Sequence, residues 1–305
     1  MHLRLLAVPA IAGLALVACG SDTTNNGTGT SPSASTSASS SPAPCVAGSI
    51  TASGSTALQP LVKKAADLYQ AKCQGATITV SGGGSSTGLS NVASGVSDIG
   101  DSDVPVSNAK SVDPTTVKDN QVAVAVFAII ANPGAGVTNI TTQQARDIFA
   151  GTITNWKTVG GKDVPITLIE RKPGSGTRLA FDKDIMAGTP ESTTPAGTED
   201  STQTVLTKVG GAGAPPGAVS YIVVSSADNT VVALSLDGSK PTADDVKNGK
   251  YKYFAHEHMY TKSTPPPLAA AFIGYILSDE FQTSQVSALG YLPVATTKEQ
   301  SAADQ

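Results

Sequence analysis

Charge and aromatic rings are scarce in this 305-residue sequence: Asp, Glu, Lys and Arg make up 14% of it and Phe, Trp and Tyr only 5%. Those values suit a β-rich secreted protein with many Gly and Thr turns. The formal net charge is −4 and no basic stripe is visible, so the electrostatic footprint of a nucleic-acid binder is missing. No internal repeat of roughly 20–50 residues is present, which excludes solenoid and propeller architectures. Histidine is nearly absent: beyond the N-terminal segment only His256 and His258 occur. That leaves little material for a metal centre or for a hydrolase that needs a histidine base.

A long apolar run is lacking too. Residues 5–18 are apolar but short, and Pro9 and Gly13 interrupt them, so they do not span a bilayer as a stable helix. Arg4 before this stretch and small residues after it describe a secretory signal over residues 1–18. The run ends Leu16-Val17-Ala18-Cys19, which resembles a bacterial lipobox. The resemblance implies that Cys19 is lipidated and anchors the chain to the extracytoplasmic face of the cell membrane, palmitate being one such acyl group. Each buried methylene contributes about 0.8 kcal/mol, so several acyl chains hold where one would not. About half of residues 20–44 are Ser or Thr, without apolar periodicity, so the span 19–44 is expected to be a disordered tether. As a flexible coil it would reach roughly 25–30 Å.

Two cysteines remain, Cys45 and Cys73, in a chain routed to an oxidising compartment. Compartment and even count predict a disulfide between them, the alternative being two buried free thiols. The span from Cys45 onward exceeds the size at which one core stops growing, so two lobes are expected.

Residues 46–52 and 77–81 read as strands. Between them Leu58, Leu61, Val62, Ala65, Leu68 and Tyr69 recur at helical spacing, with Pro60 in the first turn. A second helix is predicted from Thr87 towards Val96. The continuous apolar run 121–131 suits a buried central strand. Thr141-Thr142-Gln143-Gln144 forms a capping box for a helix carrying Ala145, Ile148 and Phe149. Strands are predicted at 164–170, 219–224, 231–236 and 254–260, and helices at 268–277 and 278–289. The alternation argues for α/β lobes with largely parallel sheets.

Three times a strand runs into a Gly- and hydroxyl-rich turn that opens a helix: Ser53-Gly54-Ser55-Thr56, Gly82-Gly83-Gly84-Ser85-Ser86-Thr87 and Pro173-Gly174-Ser175-Gly176-Thr177. Each junction presents backbone N–H groups, the positive end of a helix dipole and hydroxyl donors. Singly, each reads as an ordinary helix cap. Three together describe a tetrahedral oxyanion surrounded by donors. Arg171 and Arg178 flank the third turn, and Arg presents a fixed fork suited to such oxygens. The fourth piece, Asp98-Ile99-Gly100-Asp101-Ser102-Asp103, supplies acceptors. A carboxylate at Asp103 would take the proton of a protonated oxyanion and repel one without a proton, such as sulfate; Asp98 and Asp101 read as turn residues.

These stretches, with Asn132-Pro133, residues 147–156, 217–221 and Gly290-Tyr291-Leu292-Pro293, resemble in order and spacing the motifs of bacterial phosphate ABC transporter substrate-binding proteins. The resemblance covers almost all of residues 50–294. It implies a type II, two-lobed periplasmic-binding-protein fold with the ligand cleft between lobes: lobe I from 45–127 and 260–305, lobe II from 128–259. By position it implies phosphate contacts from Ser55, Thr56, Ser85 or Ser86, Asp103, Arg171, Ser175, Gly176 and Thr177, with Arg178 joining them. The implied partners are inorganic phosphate and the permease subunits of an ABC importer, for a monomer without cofactor. Two departures stand out. Pro173 occupies a place where some members carry an acid that pairs with the first Arg, and residues 253–258 lack the usual Pro and Arg.

Other roles compete. Gly84-Ser85-Ser86-Thr87-Gly88 fits the pattern of a serine hydrolase elbow, with Ser86 as nucleophile and a histidine downstream, but a run of glycines separates it from the strand. His256 and His258 alternate along an extended segment and would face one side, with Glu257 pointing away; no third metal ligand is identifiable, and two solvent-facing histidines are expected. A sensor or adhesin of the same fold is the remaining alternative.

Overall fold

The computed structural model describes residues 45–108 and 112–296. The signal segment, Cys19 and the tether lie outside the described residues. The chain enters through β1 (Gly48–Gly54), α1 (Gln59–Lys72), β2 (Ala76–Ser81), α2 (Ser85–Ser94) and β3 (Ile99–Ser102). Leu61, Val62, Ala65 and Tyr69 form the buried face of α1, and each large apolar side chain so buried contributes about 1.5–3 kcal/mol. Tyr69 meets Phe272 and Tyr275 edge-on at ring distances of 5.9 and 5.6 Å. A disulfide joins Cys45 to Cys73, their Cα atoms 5.1 Å apart, and ties the start of the described chain to the end of α1.

Next come β4 (Val117–Lys118), β5 (Gln121–Ala131), β6 (Asn139–Ile140), α3 (Thr142–Phe149), β7 (Thr167–Arg171) and α4 (Gly176–Phe181). The run in β5 is buried at every residue after Gln121, which is why it carries no polar face. The capping box of α3 forms, Thr141 accepting from the amide of Gln144 while the Gln144 side chain accepts from the amide of Thr141. Helix α4 continues through a wider turn, Asp182–Met186. The chain closes with β8 (Gly197–Glu199), α5 (Thr202–Gly210), β9 (Ala218–Val223), β10 (Val232–Ala233), β11 (Ser235–Leu236), α6 (Ala243–Lys247), β12 (Phe254–Lys262), α7 (Pro267–Ile276), α8 (Asp279–Phe281) and β13 (Leu292–Pro293).

The main sheet runs β2-β1-β3-β12-β5-β9-β7-β8, with β4 paired to β12 and with β10 and β13 paired to β5. Its outer parts are parallel: β1 pairs with β2 and β3, and β7 with β8 and β9. Its centre is antiparallel, through β12 with β3 and with β5, and β5 with β9. The expectation of largely parallel sheets is thus corrected at the centre. Antiparallel pairing arises there because β12 runs against both of its neighbours, β3 and β5, and β5 against β9. The lobe boundaries expected from the resemblance, 127/128 and 259/260, fall inside β5 and β12.

A second correction concerns residues 98–103. The segment read as a turn contains β3, whose four residues are all buried. Gly, Asp and Ser are poor strand formers, so only pairing with β1 and β12 makes it a strand. The strand at 231–236 is likewise split into β10 and β11, which join different sheets.

Candidate oxyanion site

The three Gly-rich turns leave the C-terminal ends of parallel strands and meet at one place. Ser55 follows β1. Its amide donates to the Asp101 carbonyl at 2.9 Å, and its hydroxyl accepts from the amides of Ala57 and Leu58 at 3.0 and 2.9 Å. With its lone pairs used, the hydroxyl of Ser55 has its proton left to donate. Gly54 has φ +141°, and a Cβ there would stand 2.1 Å from the Asp101 carbonyl oxygen, so this approach of β1 to β3 admits only glycine.

The second turn opens α2. Ser85 is fully buried and its hydroxyl accepts the Asp103 amide at 3.0 Å. Ser86 is half-buried, and its amide donates to the Gly174 carbonyl of the third turn at 3.1 Å. In the third turn Ser175 caps α4 by accepting the Arg178 amide, and the Thr177 hydroxyl donates to Asp103 Oδ2 at 2.9 Å. A Cβ on Gly176 would stand 2.1 Å from Ser85 Oγ and 2.8 Å from Asp103 Cβ. The second and third turns therefore touch through a position where only hydrogen fits.

Arg171 ends β7 and is 1% exposed. Its Nη2 donates to Thr56 Oγ1 at 3.1 Å and to the Asp200 carbonyl at 3.2 Å. Its Nε and Nη1 are buried and meet no acceptor. Among the described residues no carboxylate lies within ion-pair distance of this guanidinium. Burial pulls the Arg171 pKa down, with the Asp103 charge the first to oppose it. Thr56 Oγ1 also accepts the amide of Thr202 at 3.2 Å, which ties α1 to α5.

Asp103 is 2% exposed, and its Oδ1 has no partner. Burial pushes its carboxyl up, while hydrogen bonds from Ser55 and Thr177 and the Arg171 charge hold it back. Eight of the expected positions, Ser55, Thr56, Ser85, Asp103, Arg171, Ser175, Gly176 and Thr177, are thus linked by contacts to one another or to a shared neighbour, and Ser86 sits at the edge.

Arg178 is the exception. Its guanidinium lies 3.4 Å from Glu170 and 3.2 Å from Glu191 and also donates to the Arg171 carbonyl. Expected among the ligand contacts, it instead lies against two carboxyl groups and hydrogen-bonds the Arg171 carbonyl. It braces Arg171 from behind. Burial pushes both Glu170 and Glu191 up, with Arg178 opposing in each case.

Two carboxyl groups that sequence reasoning set aside prove buried beside the site. Asp101 and Glu257 are fully buried, and among the described residues both oxygens of each lack a hydrogen-bond partner. Burial pushes both well up, and the Asp103 charge adds to it. An acidic residue at every second position, 101 and 103, is the pattern that could have marked one strand face. The histidine expectation is corrected as well. His258 is 2% exposed, and its Nδ1 lies 2.9 Å from Asp119 Oδ1, so it is a paired interior residue. Among the described residues no group of three or more His, Cys, Asp or Glu is placed to hold a metal. A cleft of about 540 Å³ reaches Asp103 from the side of β12, with Lys183, Asp184, Lys252, His256 and His258 also on its walls. Neither Arg171 nor the hydroxyl cluster lines it, so it is not the oxyanion pocket itself.

Donors at the ends of parallel strands, presented from both flanks of a sheet that two antiparallel strands cross, define a solute-binding protein of the PBP superfamily, whose family model matches residues 39–280. The chain belongs to the family of the PstS proteins: it is 42% identical over 219 residues, 71% of each chain, to the phosphate-binding protein PstS of Bacillus subtilis. It also resembles the crystal structure of a protein from Clostridium perfringens described as a phosphate ABC transporter substrate-binding protein with bound phosphate. That match has 31% identity and a TM-score of 0.74, and covers 81% of this chain and all of that one. An ABC-type phosphate transport receptor from Vibrio cholerae matches with 28% identity and a TM-score of 0.64, over 81% and 100% of the two chains.

Proposed function

We propose that this protein captures inorganic phosphate outside the cytoplasmic membrane and delivers it to the permease of an ABC importer, by reversible binding without chemistry. The observation that carries the reading is Arg171: a buried guanidinium with two unpartnered N–H edges, set among hydroxyls and beside the free oxygen of Asp103. A buried charge left unpaired is costly, and an oxyanion that accepts its hydrogen bonds offsets that cost. Ser55, Thr56, Ser85, Ser86, Ser175, Thr177 and the amide of Gly176 complete the shell, and Asp103 accepts the proton that phosphate carries and sulfate lacks.

The flanks of the sheet act as two lobes, 45–127 with 260–305 and 128–259, hinged on β5 and β12. Contacts across them, Arg171 to Thr56, Thr177 to Asp103 and Ser86 to Gly174, favour the closed state. Ligand adds contacts available only there, and so shifts the population towards closure. Lipid on Cys19 and the tether of residues 19–44 would hold this monomer at the outer face of the membrane, within reach of its permease. Among the described residues no helix is long and apolar enough to cross a membrane. The hydrolase alternative draws no support from Ser86, which among the described residues has no hydrogen bond to a histidine.

Calorimetric titration of the chain from Cys45 onward with phosphate, arsenate and sulfate tests the reading. Binding of the first two without sulfate, with discrimination reduced at least about tenfold in Asp103→Asn, is the expected result. Absence of phosphate binding would overturn it.

A further inference from the structure

Three carboxyl groups share one face of the sheet where the site is built. Asp101 and Asp103 stand two residues apart on and just after β3, and β12 runs antiparallel beside them with Met259 opposite Asp101 and His258 opposite Ser102. Glu257 and Asp103 each lie one step beyond that paired stretch, and their carboxyl groups interact. Directly opposed residues of an antiparallel pair project to the same side. All three are buried, at 0, 2 and 0% exposure for Asp101, Asp103 and Glu257. The pairing of β12 with β5 shifts register between Glu257 and His258, an irregularity of the kind that re-aims a side chain.

Only Asp103 is met by donors. Thr177 Oγ1 reaches its Oδ2, while among the described residues no donor reaches either oxygen of Glu257 or of Asp101. Two opposed carboxylates in a dry interior do not both ionise. We infer that Glu257 keeps its proton and directs it at Asp103, acting as a positioning residue that holds the Asp103 carboxylate ionised, with its free oxygen turned to the ligand. This deepens the phosphate reading and rests on it.

The surroundings assign the protons consistently. Asp103 and Asp101 face Glu257 from β3, and Tyr291 faces it from the segment before β13. Its neighbours on β5, Ala123 and Gln121, carry no charge. Arg171 stands on the other side of Asp103 and favours its ionised form. Burial pushes Glu257 and Asp101 well up with no donor opposing. Burial raises Asp103 too, but Ser55, Thr177, Arg171 and Glu257 oppose it, and of the three carboxyl groups it is the one that accepts the Thr177 hydroxyl. Without the Glu257 proton, Asp103 would protonate more readily and donate where it should accept. A fully deprotonated oxyanion such as sulfate would then be admitted.

The test is phosphate and sulfate titration across the acid-to-neutral range for the wild-type protein, Glu257→Met and Glu257→Gln. In the Met variant the acid limb of phosphate binding should move up by about one pH unit, and discrimination against sulfate should fall about tenfold. The Gln variant, which keeps a neutral donor, should recover most of both. A Met variant with the wild-type pH profile, or a Gln variant as impaired as Met, overturns the inference. Infrared difference spectra of wild type against Glu257→Gln give a readout that needs neither ligand nor the Met variant. A protonated-carboxyl C=O band at neutral pH, lost in Gln, is expected, and its absence from wild type also overturns the inference. Failure of wild-type phosphate binding would instead count against the phosphate reading, leaving the infrared result to speak for Glu257 alone.

Discussion

Arg171, at the end of β7, and Arg178, in α4, lie close in sequence and back to back in space, yet their surroundings are opposite. Arg178 is held by Glu170 at 3.4 Å and Glu191 at 3.2 Å and caps the Arg171 carbonyl. Arg171 is more deeply buried and, among the described residues, has no carboxylate partner within ion-pair distance and leaves Nε and Nη1 unused. Folding alone would favour pairing both, since an unpaired buried charge is destabilising. The difference teaches which group awaits a ligand: a cation already flanked by carboxyl groups holds the frame, and one beside it without such partners marks the place where something must arrive.

Substitution breaks this comparison most sharply at Arg171. Arg171→Met should weaken phosphate binding by at least about a thousandfold, near 4 kcal/mol, by calorimetry. The same variant should cost little stability without ligand, because it removes a buried charge that no carboxylate meets at ion-pair distance. A large loss of unliganded stability would mean that Arg171 is structural after all.

Arg178→Met should do the reverse. It strands two buried carboxyl groups and should cost about 2–4 kcal/mol in urea unfolding, somewhat less than a fully dry pair because the side chain keeps 19% exposure. Phosphate affinity should change by less than about tenfold. Affinity lost in parallel with Arg171→Met would restore Arg178 to the ligand shell.

The smallest effect sharpens the paired side. Burial first, then the Glu170 charge, push the Glu191 carboxyl up, against Arg178. The folded state therefore holds a proton that the unfolded state releases above its ordinary pKa of 4.5, so this group's contribution to stability is full below that point and falls as pH rises. Glu191→Gln should flatten that decline by about 1–2 kcal/mol in denaturation measured at several pH values. An unchanged slope would place the proton elsewhere in the Arg178 network.

Much of this was legible in the residues. The run of β5, the α1 periodicity and the α3 capping box are local signals, and each appears within a few residues of its expected bounds. The three Gly-rich turns and Asp103 could be grouped because strand–turn–helix junctions present their amides at the same end of a parallel sheet. Strand β3 was not legible, since its Gly, Asp and Ser residues argue against a strand and only its neighbours on both sides impose one. Glu257 was read as pointing away from chemistry because alternation along a single strand says nothing of what the adjoining strand carries.

By itself, then, the sequence determined the element types, the junctions that supply donors and the chemistry of an oxyanion site, because propensity, capping and glycine turns act over a few residues. Only the tertiary structure decided that β12 runs antiparallel beside β3, that Glu257 comes near Asp103, and that Arg178 turns to Glu191 while Arg171 keeps two unpartnered nitrogens. Those outcomes depend on side chains tens to more than a hundred residues apart, and in a dry interior the pairing of such groups sets which of them carries charge.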